Sequence, residues 1–218
     1  MVGQTVNGAR EEILARVRRG LADVPREERP EDVRVPRDYL EREPEAALDR
    51  FVERVADYGS VVDVVREDGI APAVEAVCRR FGVTAVVVPA DLPPAWIPRE
   101  VEPIPEAGLE VRDLDRIGAA LTGCALGIAE TGTVVLDAGA RQGRRALTLV
   151  PDVHLCVIEE KQVVDGVPAA LRRLSVELRR SRRPLTFVSG PSATSDIELA
   201  RVEGVHGPRN FGLIVVRA

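Results

Sequence analysis

Residues 185–216 read LTFVSGPSATSDIELARVEGVHGPRNFGLIVV, and this stretch decides how the rest of the chain is organised. Leu185–Val188 is a short apolar run that stops at Gly190, as a buried strand does. Phe211–Val216 is a second apolar run and predicts another strand. The loop between them is rich in Ser, Thr, Gly and Pro, and it contains His206. In α/β folds, ligands bind where loops leave the carboxyl ends of strands. The loop is therefore a candidate ligand site, and a capped turn between two core strands is the alternative.

Hydroxyl and carboxylate side chains are concentrated directly after Gly190. Ser192, Thr194 and Asp196 carry oxygens that accept hydrogen bonds from free backbone N–H groups, which predicts a short helix over residues 197–201. Free N–H groups at the start of a helix attract negative charge. We therefore expect this loop to form the wall of a pocket that faces a carboxylate or phosphate group.

The composition is typical of an α/β domain with an aliphatic core. The chain has 218 residues, of which 45% are hydrophobic and only 3% aromatic, so Val, Leu, Ile and Ala must fill the core. Valine in short runs is typical of strands that are buried on both faces. The length suits one large α/β domain with a helical appendage.

Charge and hydropathy exclude some classes of function. The formal net charge of −5 argues against general nucleic-acid binding. No window approaches the roughly 18 apolar residues of a membrane span, and the N-terminus lacks the apolar segment of a signal peptide. We therefore expect a cytoplasmic protein without a membrane span.

The three cysteines do not form a recognisable ligand set. Cys78, Cys124 and Cys156 are far apart and form no C-x-x-C pair. A disulfide framework is therefore not expected, nor is a metal or iron–sulfur site built by this chain alone. Each cysteine lies among apolar residues, which favours a buried, small hydrophobic side chain.

Apolar periodicity and turn residues predict the order of the elements. Helices are predicted over residues 7–20, 44–58, 70–81, 115–121 and 168–180, the last with Leu171, Leu174 and Leu178 facing inward. Strands are predicted over residues 61–65, 84–88, 134–137, 146–150, 154–158, 185–188 and 211–216. The proline-rich residues 91–105 are expected to be irregular and to cover one end of the sheet.

The connections between these elements predict the fold class. The strand–helix–strand order over residues 61–88 implies a parallel unit. The turns between residues 134 and 158 are too short for crossover helices, so some of these strands are expected to pair antiparallel. The predicted fold class is α/β, with a mixed, mostly parallel sheet and helices on both faces.

Residues 1–43 are predicted to form an N-terminal helical arm and a mobile linker, and residues 44–218 the α/β domain. The helix has a narrow apolar stripe of Ile13, Leu14 and Val17. Residues 25–37 contain three prolines and many charges, as linkers do. A helix on such a tether can dock on a partner, on its own domain or on a second copy of the chain.

A second candidate site surrounds Glu130. This residue lies on a turn of small residues, and Thr131 and Thr133 flank Gly132, which permits close backbone approach. A carboxylate there can act as a base or a nucleophile if its pKa is tuned. The alternative is a turn glutamate that accepts local backbone hydrogen bonds.

Three further side chains have a functional and a structural interpretation. Lys161 follows a predicted strand and can face an anionic group, or it can pair with Glu159 or Glu160 on the surface. His154 opens a strand, and a partly buried, hydrogen-bonded histidine is the favoured interpretation. His206 lies near glycines in the loop and is the better candidate for a base.

Three motifs together resemble the lactate utilization (LUD) domain family: Ala129-Glu130-Thr131-Gly132-Thr133, Gly190-Pro191-Ser192-x-Thr194-x-Asp196-Ile197-Glu198, and Gly204-Val205-His206-Gly207-Pro208. The resemblance covers about residues 44–217. It implies the NagB/RpiA/CoA-transferase-like superfold. It also implies a role in oxidising L-lactate to pyruvate, alongside two partner proteins with iron–sulfur motifs. This chain would be the member that binds no cofactor of its own, with the iron–sulfur clusters in the partner subunits.

Two classes of function follow from these observations. The first is a binding and assembly subunit that holds a small anionic or nucleotide-like ligand and docks the iron–sulfur partners. The second is a stand-alone CoA-transferase-like or ligase-like enzyme, because Glu130-Thr131-Gly132 is similar to the E-x-G in which CoA-transferases place a nucleophilic Glu. The candidate catalytic residues are Glu130 and His206. The candidate ligand-binding residues are Thr131, Gly132, Thr133, Lys161, Gly190, Ser192, Thr194, Asp196, Glu198 and Gly207, and no metal ligands are predicted.

Overall fold

The computed structural model describes residues 4–25, 27–32, 34, 36, 47–181, 183–194 and 202–217. The predicted helix over residues 197–201, the site residues Asp196 and Glu198, and the domain boundary at residue 43 all lie outside the described residues. The chain divides into two compact units, Met1–Leu40 and Glu41–Ala218. No helix in the described part of the chain is long and apolar enough to cross a bilayer.

The first unit contains a helix, α1 (Gln4–Gly20), and a 3-10 helix, Pro30–Asp32. The described part of the predicted linker therefore includes a helical turn. The apolar stripe of α1 is largely uncovered: the exposed fractions are 61% for Ile13 and 50% for Val17.

The second unit contains the remaining helices and all of the described strands. Its helices are α2 (Ala47–Asp57), α3 (Ile70–Phe81), α4 (Val111–Ile117) and α5 (Val167–Ser181). Its strands are β1 (Val61–Val65), β2 (Ala85–Val88), β3 (Glu102–Pro105), β4 (Ala119–Thr122), β5 (Leu126–Ile128), β6 (Thr133–Leu136), β7 (Val153–Glu159), β8 (Val163–Val164), β9 (Thr186–Val188), β10 (Ala193–Thr194), β11 (Val202–Glu203) and β12 (Asn210–Val216). Short 3-10 helices cover Glu67–Gly69, Pro94–Trp96, Arg145–Thr148 and Glu160–Gln162.

A six-stranded parallel sheet forms the centre of this unit, in the order β1-β12-β7-β4-β2-β3. The last strand of the chain, β12, lies between β1 and β7 and is parallel to both. Alternate residues of the strands face opposite sides, so Leu155 and Val157 pack against α3, whereas Cys156 and Ile158 face α2.

A four-stranded sheet, β8-β5-β6-β9, packs on the α2 side of the central sheet. Val134 and Leu136 of β6 share a core with Ile158 and Leu213 of the central sheet. On its other side, Leu126, Ile128 and Val135 pack against Ala170 and Leu174 of α5. The layers are therefore α3, the central sheet, the smaller sheet with α2, and α5.

The predicted fold class, α/β with a mostly parallel sheet and helices on both faces, is confirmed. The central sheet is entirely parallel, and antiparallel pairs occur in the smaller sheets, between β5 and β6, β6 and β9, and β10 and β11. Antiparallel pairing was expected among the strands of residues 134–158. Strand β7 does not pair in this way, because β6 and β7 belong to different sheets and β7 is parallel to both of its neighbours.

Three segments were assigned the wrong secondary structure from the sequence. Residues 146–148, part of the strand predicted over residues 146–150, belong to the 3-10 helix Arg145–Thr148, because a short apolar run does not by itself distinguish strand from helix. Residues 119–121, the end of the helix predicted over residues 115–121, belong to the buried strand β4, whose two alanines give a weak strand signal. The helix instead spans α4 and ends before Gly118.

The third segment is β3, which lies in a stretch expected to be irregular. It contains two prolines and is an edge strand. Glu102 N donates to Thr84 O at 2.9 Å and Glu106 N donates to Val88 O at 3.0 Å, so alternation turns Pro103 and Pro105 away from β2. A proline at such an edge position removes no ladder hydrogen bond.

Two predictions of burial were also wrong. Strand β9 is not buried, because it lies at the edge of the smaller sheet and Phe187 is half-exposed. Leu171 of α5 is also half-exposed, because the helix face that packs on the smaller sheet carries Ala170 and Leu174.

Gly127 sets how closely the two sheets approach. A Cβ atom built on Gly127 would lie 2.8 Å from both Ile158 Cδ1 and Phe51 Cζ. Real Cβ atoms do not come this close to carbon, so a larger residue would push the sheet and α2 apart.

We predict that Gly127→Ala lowers the free energy of unfolding by about 1–3 kcal/mol, the usual cost of overpacking a core. Urea denaturation of the full chain measures the change. Gly8→Ala is the control, because a Cβ at Gly8 meets nothing within 4 Å and alanine favours the helix. Equal stability of Gly127→Ala and the unaltered protein would contradict this account of the sheet contact.

Candidate functional site

The described parts of the loop after β9, residues 189–194 and 202–209, lie over the amino ends of β7 and β12. The loop leaves β9 at Val188 and enters β12 at Asn210, whose N–H donates to Asp152 O at 3.0 Å, just before β7. The sequence argument placed ligands at carboxyl ends of strands. The loop does leave the carboxyl end of β9, but it lies over the amino ends of β7 and β12.

A cavity of about 310 Å³ lies beneath this loop. Its lining comes from the loop, from β9, from the start of β7 and β12, and from the 3-10 helix Arg145–Thr148. The lining residues are Arg145, Thr148, His154, Thr186, Phe187, Val188, Ser189, Gly190, Pro191, Ser192, Ala193, His206, Gly207, Pro208 and Phe211. None of these described residues is an aspartate or a glutamate. The charged side chain among them is that of Arg145, a cation.

Ser192 holds the loop together. Its N–H donates to Pro208 O at 2.8 Å, and its carbonyl accepts from Gly204 N at 2.9 Å. Its Oγ accepts from His206 N at 3.0 Å. These bonds fix His206 and Gly207 at the cavity wall, so Ser192 positions the wall as well as lining it.

Thr194 does not line the cavity. It lies in β10, where it pairs with Val202 of β11. Of the loop residues predicted to bind a ligand, the structure therefore brings Gly190, Ser192 and Gly207 together with His206 and leaves Thr194 in the adjoining hairpin.

Arg145 is the cation of the cavity. It is half-buried, and burial lowers the pKa of its guanidinium. Its Nη1 donates to Thr148 Oγ1 at 2.9 Å. In the described part of the chain no carboxylate pairs with Arg145. Burying a charge without a counter-charge is costly, so this position favours an anion from outside the chain.

His154 is the second polar group at the floor of the cavity. It is almost completely buried, with its ring 5.4 Å from that of Phe211, and its Nε2 lies 2.8 Å from Thr122 Oγ1. Burial, with a contribution from the Arg145 charge, lowers the pKa of His154 from 6.5 to about 3. The imidazole is therefore neutral across the physiological range, which supports the interpretation of a buried, hydrogen-bonded histidine.

The turn between β5 and β6 joins the wall of the cavity through hydroxyl contacts. The hydroxyls of Thr131 and Thr133 are 2.7 Å apart, and Thr133 Oγ1 is also 2.7 Å from Ser189 Oγ. Gly132 has a positive φ of 58° and lies against α2, where a Cβ would be 2.7 Å from the backbone carbon of Arg54. The three residues thus support the cavity from behind and do not line it.

Glu130 lies at the tip of the same turn, outside the cavity lining. Its side chain is exposed, and its N–H donates to Asp165 O at 2.8 Å. A Cβ on Gly166 would be 2.9 Å from Glu130 Oε2, so the carboxylate lies beside the residue that precedes α5. A carboxylate beside a helix N-terminus stabilises the helix.

Lys161 lies at the opposite end of the central sheet from the cavity. It follows the carboxyl end of β7, which is roughly 16 Å from His154 at about 3.3 Å per residue. Its Nζ is 2.5 Å from Glu159 Oε2, and its side chain is 79% exposed. Lys161 and Arg141 beside it hold the pKa of Glu159 below its ordinary value. The contact is the surface ion pair that was the alternative interpretation of Lys161.

Sequence reasoning missed Arg145 and Thr148. Arg145 directly precedes the predicted strand over residues 146–150, and Thr148 lies within it. No local signal marks them, because they reach the cavity through the packing of the 3-10 helix.

The described cysteines, histidines and carboxylates form no group of three that could hold a metal ion. The three cysteines are free and buried, which confirms their interpretation as small core side chains.

The low pKa of His154 predicts a pH-dependent stability. The unfolded chain binds a proton at His154 near pH 6.5 and the folded chain only near pH 3, so the free energy of unfolding falls as pH drops through this window. We expect His154→Phe to remove about 1.4 kcal/mol per pH unit of this dependence, most clearly between pH 6.5 and 5. Denaturation at several pH values measures it, and parallel curves for the two proteins would contradict the assignment.

Comparison with known proteins gives concordant results. The chain is 46% identical to lactate utilization protein C from Deinococcus radiodurans over 171 residues, 78% of this chain and 79% of that protein. It is 42% identical to lactate utilization protein C from Bacillus pumilus over 84 residues, 37% of this chain and 35% of that protein. The crystal structure of a DUF162 family protein from Deinococcus radiodurans matches with a TM-score of 0.69 and 35% identity, over 81% of this chain and 99% of that chain.

The family model of the LUD domain matches residues 48–216, which include the six-stranded sheet, the smaller sheet and the cavity between them. The match covers most of the chain and agrees with the resemblance carried by the Glu130, Gly190 and His206 motifs. The chain belongs to the LUD domain family.

Proposed function

We propose that this chain is a subunit of a lactate-oxidising system and that it binds a small anionic ligand in the cavity lined by the described parts of the loop between β9 and β12. The name of the Deinococcus radiodurans relative, lactate utilization protein C, supports the metabolic role. The same loop carries two of the motifs on which the family resemblance rests.

Arg145 is the observation that carries ligand binding. A half-buried guanidinium is held at the cavity wall by Thr148, without a carboxylate partner among the described residues. The cavity of about 310 Å³ is at the small end of ligand sites. A small carboxylate or a phosphate fits both the charge and the volume, and charge-assisted hydrogen bonds to Arg145 would orient it.

Iron–sulfur partners complete the proposal. Oxidation of lactate to pyruvate releases two electrons and two protons, and the partner subunits would supply the clusters that accept the electrons. The uncovered apolar stripe of α1 supports docking, because an amphipathic helix can lie in a groove of another protein.

The alternative is a CoA-transferase-like or ligase-like enzyme that uses Glu130 as its nucleophile. This alternative would need Glu130 to face a ligand site. Glu130 is exposed beside Gly166 and is not among the residues that line the cavity, so no observation favours it over the binding role.

We predict that Arg145→Met weakens binding of L-lactate or inorganic phosphate about 10- to 100-fold, because a hydrogen bond to a charged group contributes about 1.5–3 kcal/mol. Methionine keeps most of the apolar stem. Isothermal titration calorimetry measures the dissociation constants. Arg112→Met is the control, because Arg112 is exposed and pairs with Glu110 on the surface. Undiminished affinity of Arg145→Met would place the ligand elsewhere.

Docking through α1 has its own test in the full chain. We predict that the double substitution Ile13→Glu and Val17→Glu leaves the melting temperature almost unchanged and reduces co-purification with the iron–sulfur subunits. Both side chains are at least half exposed, so charging them costs the isolated chain little. Arg19→Glu is the control on another face of the helix. A large fall in melting temperature would indicate instead that the stripe packs on this chain or on a second copy.

A further inference from the structure

The hydrogen atoms around His154 can be assigned from two contacts of one hydroxyl. Thr122 Oγ1 donates to Gly123 O at 2.9 Å and lies 2.8 Å from His154 Nε2. A hydroxyl has one hydrogen. If this hydrogen pointed to His154 instead, the oxygens Thr122 Oγ1 and Gly123 O, 2.9 Å apart, would face each other with lone pairs only. The hydroxyl hydrogen therefore belongs to the contact with Gly123 O, and Nε2–H of His154 donates to Thr122.

This assignment leaves Nδ1 of His154 with a lone pair and no hydrogen. His154 lines the cavity, and Nε2 is turned to Thr122, so Nδ1 is the nitrogen available to a ligand. No described residue donates to Nδ1. Burial and the nearby Arg145 prevent protonation, because they lower the pKa of His154 to about 3. The cavity therefore combines a cation with a neutral hydrogen-bond acceptor.

We propose that His154, held in one tautomer by Thr122, makes the cavity selective for an anion that also carries a hydrogen-bond donor, such as a hydroxyl group, over the corresponding oxo compound. This inference rests on the proposed binding of a small anion beside Arg145. It adds a specificity-determining residue, which acts on the neutral part of the ligand, and a positioning residue, Thr122, which acts only through His154.

The physical basis is the mismatch of two acceptors. A ligand hydroxyl can donate to Nδ1 while the anionic group contacts Arg145 and Thr148. A carbonyl oxygen at the same place would direct a lone pair at the lone pair of Nδ1, and the almost complete burial of His154 leaves this nitrogen little access to water. Sites built around a ligand hydroxyl can discriminate strongly against analogues that lack it.

Three carboxylates of similar size test the selectivity. We expect L-lactate to bind the full chain about tenfold more tightly than propionate, which lacks the hydroxyl, and pyruvate to bind no better than propionate. Hydrogen phosphate against sulfate is the matching pair of oxyanions, because only the former carries a hydroxyl. If the protein discriminates only among the carboxylates, its ligand is a carboxylate. If it discriminates only between hydrogen phosphate and sulfate, its ligand is an inorganic oxyanion.

The variant Thr122→Val tests whether the selectivity depends on the tautomer of His154 or only on the presence of its imidazole ring. Valine is close in size to threonine but has no hydroxyl to accept from Nε2, so the hydrogen can move to Nδ1 and donate to a carbonyl. We expect the ratio of the affinities for lactate and pyruvate to fall several-fold, towards one, in this variant. Thr148→Val is the matched control, because it should weaken all three carboxylates and keep their ratio.

The chain has two histidines, so nitrogen NMR can read the tautomer without any ligand. The expected spectrum shows His154 as Nε2–H, unprotonated down to about pH 4, and the pattern should change in Thr122→Val. A hydrogen on Nδ1 in the unaltered protein, or equal affinities both among the three carboxylates and between hydrogen phosphate and sulfate, overturns the selectivity alone. Failure of all five anions to bind overturns the proposed anion site as well.

Discussion

The packing of the four-stranded sheet against one face of the central sheet is the constraint on which the rest of the structure depends. Gly127 permits this contact, because any Cβ there would meet Ile158 and Phe51. With β6 fixed on the central sheet, its neighbour β9 and the loop after β9 lie over the amino ends of β7 and β12. The cavity is the space left at this end, between the two sheets and the loop.

Electrostatics distinguish this cavity from the rest of the described surface. Other half-buried arginines have a carboxylate partner, as Arg50 has Asp165 at 2.6 Å and Arg141 has Glu159 at 3.0 Å. Arg145 has the hydroxyl of Thr148 instead. A buried cation without a counter-charge costs stability, and proteins tolerate such costs mainly where a ligand or a reaction uses the charge.

The sequence predicted those parts of the molecule whose signals are local. The stripe of α3 and the valine-rich strands β1 and β12 were clear, because their periodicity and their bounding glycines agree. Strand β4 was misread because its two alanines pack well only in the centre of a finished sheet. Edge strand β3 was missed because its prolines are acceptable only on the free side of the sheet. In each case tertiary pairing, which the local pattern does not contain, decided the outcome.

The site shows the same division. Gly190, Ser192, His206 and Gly207 were expected to form one wall, and the structure places all four at the cavity because Ser192 bonds the two ends of the loop together. Their partner Arg145 is distant in sequence and reaches the cavity from a segment whose local pattern indicated a strand. Lys161 was a candidate for contact with an anionic ligand, yet it pairs with Glu159 at the far end of the sheet.

Anomalous diffraction from crystals of the full chain soaked in arsenate tests the central claim most directly. Hydrogen arsenate is a small oxyanion with a hydroxyl group, and arsenic can be located without assumptions about the surrounding density. The account predicts an arsenic peak in the cavity, with arsenate oxygens within hydrogen-bond distance of the Arg145 guanidinium and the Thr148 hydroxyl. An empty cavity, with arsenic found only at exposed arginines or near Lys161, would contradict it.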